Sequence, residues 1–358
     1  MRMIKVLVAD DSSVVRELLK DWLKLETDLE IVALAKDGEE AFQLTKNLKP
    51  DLIIMDIMMP RMSGIEATEN IMAYCPTPIL IFSSVVNEEE TDISFEAISR
   101  GALDVMAKPG ENNKAPEHRI REELIKKIRL LSRIPVLPHP LAKLRDREKQ
   151  RKAKKLIPQG ITFLPSDYKI LGIGASTGGP KALSEVLRAF PENFPSPILI
   201  VQHIAEAFID GLARWLNRES KISVKIAQAG EMVKPGIAYL GPPERHLSVK
   251  SAKIELSADP PVNNCRPSVD VLFQSLAENY GPKSVAVLLT GMGSDGAKGM
   301  KAIYDKGGKT IAQDETSSIV FGMPGSAVKL RAVNELKPLA KIPEAIFNTF
   351  GLKPERSR

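Results

Sequence analysis

Apolar runs of four to six residues recur along the first part of the chain, at 4–9, 31–35, 52–55, 79–82 and 103–107. Runs of that length, mostly aliphatic or β-branched, predict strands buried on both faces, as in parallel sheets. Between them apolar residues fall at helical spacing, which predicts helices at 14–25, 38–48, 64–74, 89–100 and near 117–132. Five strand–helix units in succession predict a doubly wound parallel sheet. Ligands on such a sheet sit beyond the carboxyl ends of its strands.

A second alternation starts at 169. Strands are predicted near 170–174, 197–202, 222–227, 236–240, 284–289 and 309–312, and helices at 180–190, 206–217, 268–280, 295–306 and 340–350. Residues 245–256 read as a short antiparallel hairpin added to this sheet. The expected fold class is therefore α/β, with two doubly wound parallel-sheet domains at 1–132 and 169–352. Between them, 133–168 contains Ile134-Pro-Val-Leu-Pro-His-Pro140, a basic run and Pro158-Gln-Gly160, the composition of a stiffened, solvated linker.

A length of 358 residues suits two ordinary domains, and 43% hydrophobic with 27% charged residues is globular. No stretch approaches the roughly 20 apolar residues of a membrane span. The first residues run straight into a strand, so no signal peptide is expected. Cys75 and Cys265 lie far apart, without metal spacing or a disulfide framework, and a reducing, cytoplasmic compartment is expected. The net charge of +5 is concentrated: 133–168 carries +6 and the rest of the chain −1. Basicity confined to a linker argues against a nucleic-acid-binding surface.

Candidate chemistry gathers at predicted strand ends. Asp10 and Asp11 end the first strand, Asp56 the third, Ser83 and Ser84 the fourth, and Lys108-Pro109 the fifth. Each alone reads as a helix cap or a surface residue. Together they make an acidic pocket that calls for a hard cation such as Mg²⁺, with a lysine and a hydroxyl suited to a transferred phosphoryl group. This constellation, with Asp56-Ile-Met-Met-Pro60-Arg-Met-Ser-Gly64 and Lys108-Pro109, resembles the receiver domain of two-component response regulators. The resemblance implies a flavodoxin-like fold, Mg²⁺ held by Asp10, Asp11 and Asp56, phosphorylation of Asp56 by a histidine kinase, and Ser83 with Lys108 as switch residues. Where that family often has an aromatic three residues before the lysine, this chain has Val105.

The second site centres on Gly172-Ile-Gly-Ala-Ser-Thr-Gly-Gly-Pro180. A dinucleotide fingerprint would need a third glycine where Thr177 stands, and an acid ending the next strand, where Gln202-His203 stands. A hydrolase needs an imidazole and a carboxylate at neighbouring strand ends. His203 follows the next predicted strand, and Asp295 lies in Thr290-Gly-Met-Gly-Ser-Asp-Gly296 after another. Ser176 would attack, His203 would take its proton and Asp295 would orient the ring. Glycine-rich backbone around Met292 would supply an oxyanion hole. The bland alternatives are Ser176 and Asp295 as caps of the helices that follow them, and His203 as a structural histidine.

These stretches, with Arg266-Pro-Ser-Val-Asp270, resemble the catalytic domain of the chemotaxis protein-glutamate methylesterases (the CheB family). The resemblance implies a Rossmann-like serine hydrolase with Ser176, His203 and Asp295 as its triad. Thr177 would support the histidine and Met292 would lie near the oxyanion. It also implies methyl-ester hydrolysis on chemoreceptors with methanol release, deamidation of receptor glutamines, and no metal at the hydrolase site. An unphosphorylated receiver would lie over the active-site face and restrain it. The expected partners are methyl-accepting chemoreceptors and a histidine kinase, with no nucleic acid and no membrane insertion. Two departures are visible: Ile204-Ala-Glu-Ala-Phe208 follows the histidine where the family commonly has Met-Pro-x-x-Phe, and Cys265 stands where a His often precedes Arg266. The rivals are a response regulator whose output domain only binds, and an esterase for a small molecule.

Overall fold

The computed structural model describes residues 2–84, 88–110, 116–136, 161–163 and 170–354. The chain divides into two compact units, Met1–Ile157 and Pro158–Arg358. The expected linker lies outside the described residues except for 133–136 and 161–163.

In the first unit, strands β1 (Ile4–Ala9), β2 (Leu29–Ala35), β3 (Leu52–Met55), β4 (Ile79–Ser83) and β5 (Asp104–Ala107) form one parallel sheet in the order β2-β1-β3-β4-β5. Its central residues, among them Val6, Leu7, Ile53 and Ile81, are wholly buried because helices cover both faces. Polar residues set where those helices begin. Ser12 and Asp37 accept from the backbone N–H groups of Val15 and Glu40, and Ser63 forms a reciprocal capping box with Glu66. The last helix, Glu117–Leu131, buries Ile120, Leu124, Ile128 and Leu131 along one stripe. Within that buried stripe Lys127 pairs with Asp104 of β5 at 2.5 Å. Removing one partner would leave a buried charge, costing about 3–5 kcal/mol.

The second unit is built on β7 (Ile170–Ala175), β8 (Ile198–Gln202), β9 (Ser223–Ile226), β10 (Ile237–Leu240), β13 (Ser284–Leu288), β14 (Lys309–Gln313) and β15 (Glu335–Lys337). They form an all-parallel sheet in the order β15-β14-β13-β7-β8-β10-β9. The strand order reverses beside β7, which has β13 on one side and β8 on the other. Gly172 and Gly174, the first two glycines of the sequence motif, have a packing role. A Cβ on Gly174 would stand 2.3 Å from Val269, and one on Gly172 would stand 2.6 Å from Leu276. Both neighbours belong to the helix Val269–Tyr280, which therefore lies tight on β7.

Two expectations change. The predicted hairpin exists as β11 (His246–Lys250) and β12 (Lys253–Ser257), but as a separate two-stranded sheet rather than an addition to the large one. Its inward residues Leu247, Val249 and Ile254 share a core with Leu272, Phe273 and Leu276, so a helix face occupies them. Part of the expected linker is also structured: β6 (Ile161–Phe163) pairs antiparallel with β16 (Leu352–Pro354). No helix among the described residues is long and apolar enough to cross a membrane.

One position tests the first unit's packing. A Cβ on Gly64, at the start of its helix, would lie 1.9 Å from the Asp56 carbonyl oxygen and 2.9 Å from Ile57 Cα. Backbone cannot yield as a side chain does, so Gly64→Ala is expected to lower stability by about 1–3 kcal/mol in denaturant unfolding.

Candidate functional site

The five-stranded sheet brings its acidic residues together where β1 and β3 end. Oxygens of Asp10, Asp11 and Asp56 lie within 4.8 Å of one another. Lys108 Nζ reaches in from the end of β5, 2.7 Å from Asp10 Oδ2 and 3.1 Å from Asp56 Oδ1. The second contact is an ion pair without hydrogen-bond geometry, and Asp56 Oδ1 is a buried oxygen that accepts no hydrogen bond. Burial raises the Asp56 carboxyl to about 6; Lys108 opposes the shift and the Asp10 charge adds to it. Burial likewise raises Asp10, with Lys108 again opposing. Ser83, fully buried at the end of β4, donates to the Ser84 carbonyl at 3.3 Å, and its own carbonyl accepts from Lys108 N–H. A hard cation fits this donor set: three clustered carboxylates, one with an orphaned oxygen. Val105 is buried within β5, paired with Ile81.

In the second unit, the strands that flank β7 are the ones the triad requires. Ser176 follows β7, His203 follows β8, and Asp295 lies in the loop after β13. The ladder continues past the strand ends to fix them. Ser176 N–H donates to the Thr290 carbonyl at 3.0 Å, and His203 N–H donates to the Ala175 carbonyl at 3.0 Å. Gln202, itself buried, ties the two turns together: its amide donates to the carbonyls of Ser176 (2.8 Å) and His203 (2.9 Å).

Neither serine nor aspartate caps the helix that follows it. The helix Gly179–Arg188 has Gly178 at its N-cap, in the left-handed region at φ 73°, and no side chain caps it. Ser176 is therefore free of that duty, and among the described residues its hydroxyl makes no hydrogen bond. Asp295 does not cap the helix after it either, since Gly296 holds that position without a side-chain bond. Its carboxylate instead crosses to the start of Val269–Tyr280. Oδ2 accepts from Val269 N–H at 2.7 Å, and Oδ1 accepts from Ser268 Oγ at 2.7 Å, Asn263 Nδ2 at 2.9 Å and Asp270 N–H at 3.2 Å.

His203 Nε2 is 2.9 Å from Asp295 Oδ2, while Nδ1 faces the Cys265 thiol at 3.8 Å. Burial alone would raise Asp295, but the bond to His203 and the donors from Ser268 and Asn263 outweigh it and lower the carboxyl to about 2. Burial alone would lower His203, but Asp295 and then Cys265 outweigh it and raise the imidazole to about 9. No hydrogen bond joins His203 to Ser176 in this arrangement. Nor does the Thr177 hydroxyl bond to the ring; Thr177 instead offers its carbonyl to Thr290 Oγ1 at 3.0 Å.

Met292 stands on a turn fastened from below. Thr290 N–H donates to the buried Gln313 side chain at 2.8 Å, Gly291 N–H to the Val320 carbonyl, and the Gly291 carbonyl accepts from Gly322 and Met323. Among the described residues the Met292 N–H has no partner. Sequence reasoning missed Asn263, Ser268 and Gln313. Gln313 lies just beyond the strand predicted at 309–312 and Ser268 begins the helix predicted at 268–280, which are the signals the sequence offered for them.

Comparison with known proteins follows the same division. Residues 171–346 match the family model described as CheB methylesterase, and residues 6–118 match that of the response regulator receiver domain. A protein-glutamate methylesterase/protein-glutamine glutaminase of Nitrosospira multiformis is 40% identical over 354 residues, 99% of both chains. Another, from Anaeromyxobacter dehalogenans, is 42% identical over 346 residues, 96% of both. The chain belongs to the CheB methylesterase family. Among solved structures, the Thermotoga maritima CheB methylesterase catalytic domain is similar at 41% identity, covering 51% of this chain and 98% of that one, with a TM-score of 0.49. The response regulator domain of Thermotoga maritima CheB is 40% identical, covering 37% and 99%, with a TM-score of 0.34.

For this CheB-family chain, Gly291 probes how closely the turn approaches Ser176. A Cβ there would lie 2.3 Å from Met323 Sδ and 2.7 Å from Ser176 Cβ. Gly291→Ala is expected to cut methyl-ester hydrolysis about 100-fold by displacing the serine. Rates on purified, folded variant check this.

Proposed function

We propose that this protein is a cytoplasmic, phosphorylation-activated serine hydrolase of chemotactic adaptation. It removes methyl esters from glutamyl side chains of chemoreceptors, releasing methanol, and deamidates receptor glutamines. The observation that carries the reading is the His203–Asp295 pair, contributed by the two strands on either side of the one that ends at Ser176.

Ser176 Oγ attacks the ester carbonyl carbon while its proton passes to His203. Nδ1 is the nitrogen left for that task, since Nε2 is held by Asp295. The ring must turn from Cys265 towards the serine, and catalytic hydrogen bonds are often unmade before substrate arrives. Asp295, kept ionised by its donors, stabilises the imidazolium as it forms. The oxyanion is received by the free Met292 N–H. The proton then moves from His203 to the departing methoxide, and methanol leaves. Water, deprotonated by the same imidazole, cleaves the acyl-serine to give glutamate. With a glutamine substrate, ammonia departs and the same acyl-serine is hydrolysed.

Control resides at Asp56. The phosphoryl group passes from a kinase histidine to an Asp56 oxygen, breaking a P–N bond and forming the P–O bond of an acyl phosphate. Asp10, Asp11 and Asp56 would hold Mg²⁺, which supplies positive charge against the phosphoryl oxygens. Lys108 and Ser83 stand beside Asp56 as its cation and its hydroxyl.

Ser176→Ala is expected to lower methanol release from methyl-labelled receptor membranes by about three orders of magnitude or more. A small-molecule phosphodonor should raise release by the native protein but not by Asp56→Asn. Absence of release from the native protein would falsify the reading.

Activity requires neutral His203. With the imidazole raised to about 9, that fraction grows as pH rises, so kcat/KM should climb through neutrality and level off only above about pH 9. Initial rates across this range, corrected for spontaneous hydrolysis, check it; a plateau reached by about pH 7 contradicts it.

A further inference from the structure

Residues 262–265 make a tight reversal between the hairpin and the helix that receives Asp295. Val262 N–H donates to the Cys265 carbonyl at 3.1 Å and Cys265 N–H to the Val262 carbonyl at 2.9 Å. The two central residues, Asn263 and Asn264, have φ of 51° and 61°. Two positive φ values in a two-residue reversal belong to the turn type that favours Asn and Gly. That conformation accounts for Asn264, but Asn263 does more.

Both hydrogens of its amide are engaged by carboxylates: Nδ2 is 2.8 Å from Asp270 Oδ2 and 2.9 Å from Asp295 Oδ1. The partners also fix which way the amide faces, because its oxygen could not stand against two acids. Asp270 and Asp295 are otherwise cross-linked through two helix starts. Asp295 accepts from Val269 and Asp270 N–H at the head of Val269–Tyr280, and Asp270 accepts from Gly299 N–H at 2.7 Å in the first turn of Ala297–Asp305. Each acid caps the other's helix, and the exchange brings two carboxylates close together. Their repulsion shows in Asp270, which burial and the neighbouring Asp295 both push upward. Among the described residues, the Asn263 amide is the one group that donates to both.

We infer that Asn263 is a positioning residue of the hydrolase: its amide, bridging Asp270 and Asp295, holds the Asp295 carboxylate in the orientation that faces His203. This rests on the reading of Ser176, His203 and Asp295 as the triad. Removing the bridge leaves Asp295 held only by donors from one helix end, Ser268 Oγ and Asp270 N–H on Oδ1 and Val269 N–H on Oδ2, with an unshielded acid beside it, which loosens the carboxylate's orientation. Few titratable groups among the described residues face the site. Asp295 and Cys265 face His203, Asp270 faces Asp295, and Lys298 lies beyond Asp270.

Asn263→Gly keeps the left-handed turn and deletes only the amide. In the full-length protein, kcat for methanol release is expected to fall about ten-fold with KM unchanged, the scale of a lost hydrogen bond to a charge. With the carboxylate no longer held towards the ring, its bond to the imidazolium weakens. The His203 titration midpoint, followed by NMR of its ring, should therefore move lower. Asn263→Asp, near-isosteric and tolerant of the same turn, sets a third acid against the pair and should lose more activity than the glycine variant. It carries the test if the glycine variant does not fold. A native kcat in Asn263→Gly, or a lower kcat with the midpoint unmoved, overturns the inference and leaves the triad intact. Methanol release surviving in Ser176→Ala overturns both.

Discussion

Parallel strands all finish on the same edge of a sheet, and where their order reverses, the flanking connections part to opposite faces and leave an opening. Both units of this protein place their chemistry at such a reversal. In the first it falls between β1 and β3, at Asp10 and Asp56; in the second it falls beside β7, where Ser176 meets the loops after β8 and β13. Everything else at either site is a means of filling that opening with the correct side chains. On the proposed function, the same topology serves a phosphoryl acceptor in one unit and a nucleophilic hydroxyl in the other.

The two working aspartates show how environment assigns a role to one side chain. Asp295 is surrounded by donors and driven down to about 2, so it remains an anion beside His203. Asp56 has a buried oxygen that accepts no hydrogen bond among the described residues, and burial drives its carboxyl up to about 6 against the opposing charge of Lys108. Hydrogen bonding decides the first and desolvation the second.

Much of this was legible in the sequence because parallel strands announce themselves as apolar runs and so locate the residues at their carboxyl ends. Asp10, Asp56, Lys108, Ser176 and His203 could each be assigned to a strand end on that basis. The sheet order then shows that the neighbours are correct. The elements that escaped lacked periodicity. β15 is three residues long, lies at the sheet edge with none of its residues buried, and pairs with β14 through its backbone beside the Lys309–Glu335 ion pair. The helix Met323–Lys329 carries Pro324 and Gly325 in its first turn, poor helix signals. Asn263 sits in a polar reversal whose partners are 7 and 32 residues away, a relation that no local pattern encodes. The separate hairpin was misplaced for a related reason: alternation shows that a face is buried, not what buries it.

The crowding around Ser176 confines where this protein can change. A side chain added at Gly178 would strike Ile319, at Gly179 it would strike Gln202, at Gly291 it would strike Met323 and the serine, and at Gly322 it would strike the backbone of Gly291 and Gly293. The packing around Ser176 thus leaves no room for a side chain at any of these four positions. From Ile204 to Phe208, and at Cys265 beside the imidazole, the chain carries side chains rather than glycines. A change in what this site accepts is therefore more readily carried by those positions than by the four glycines.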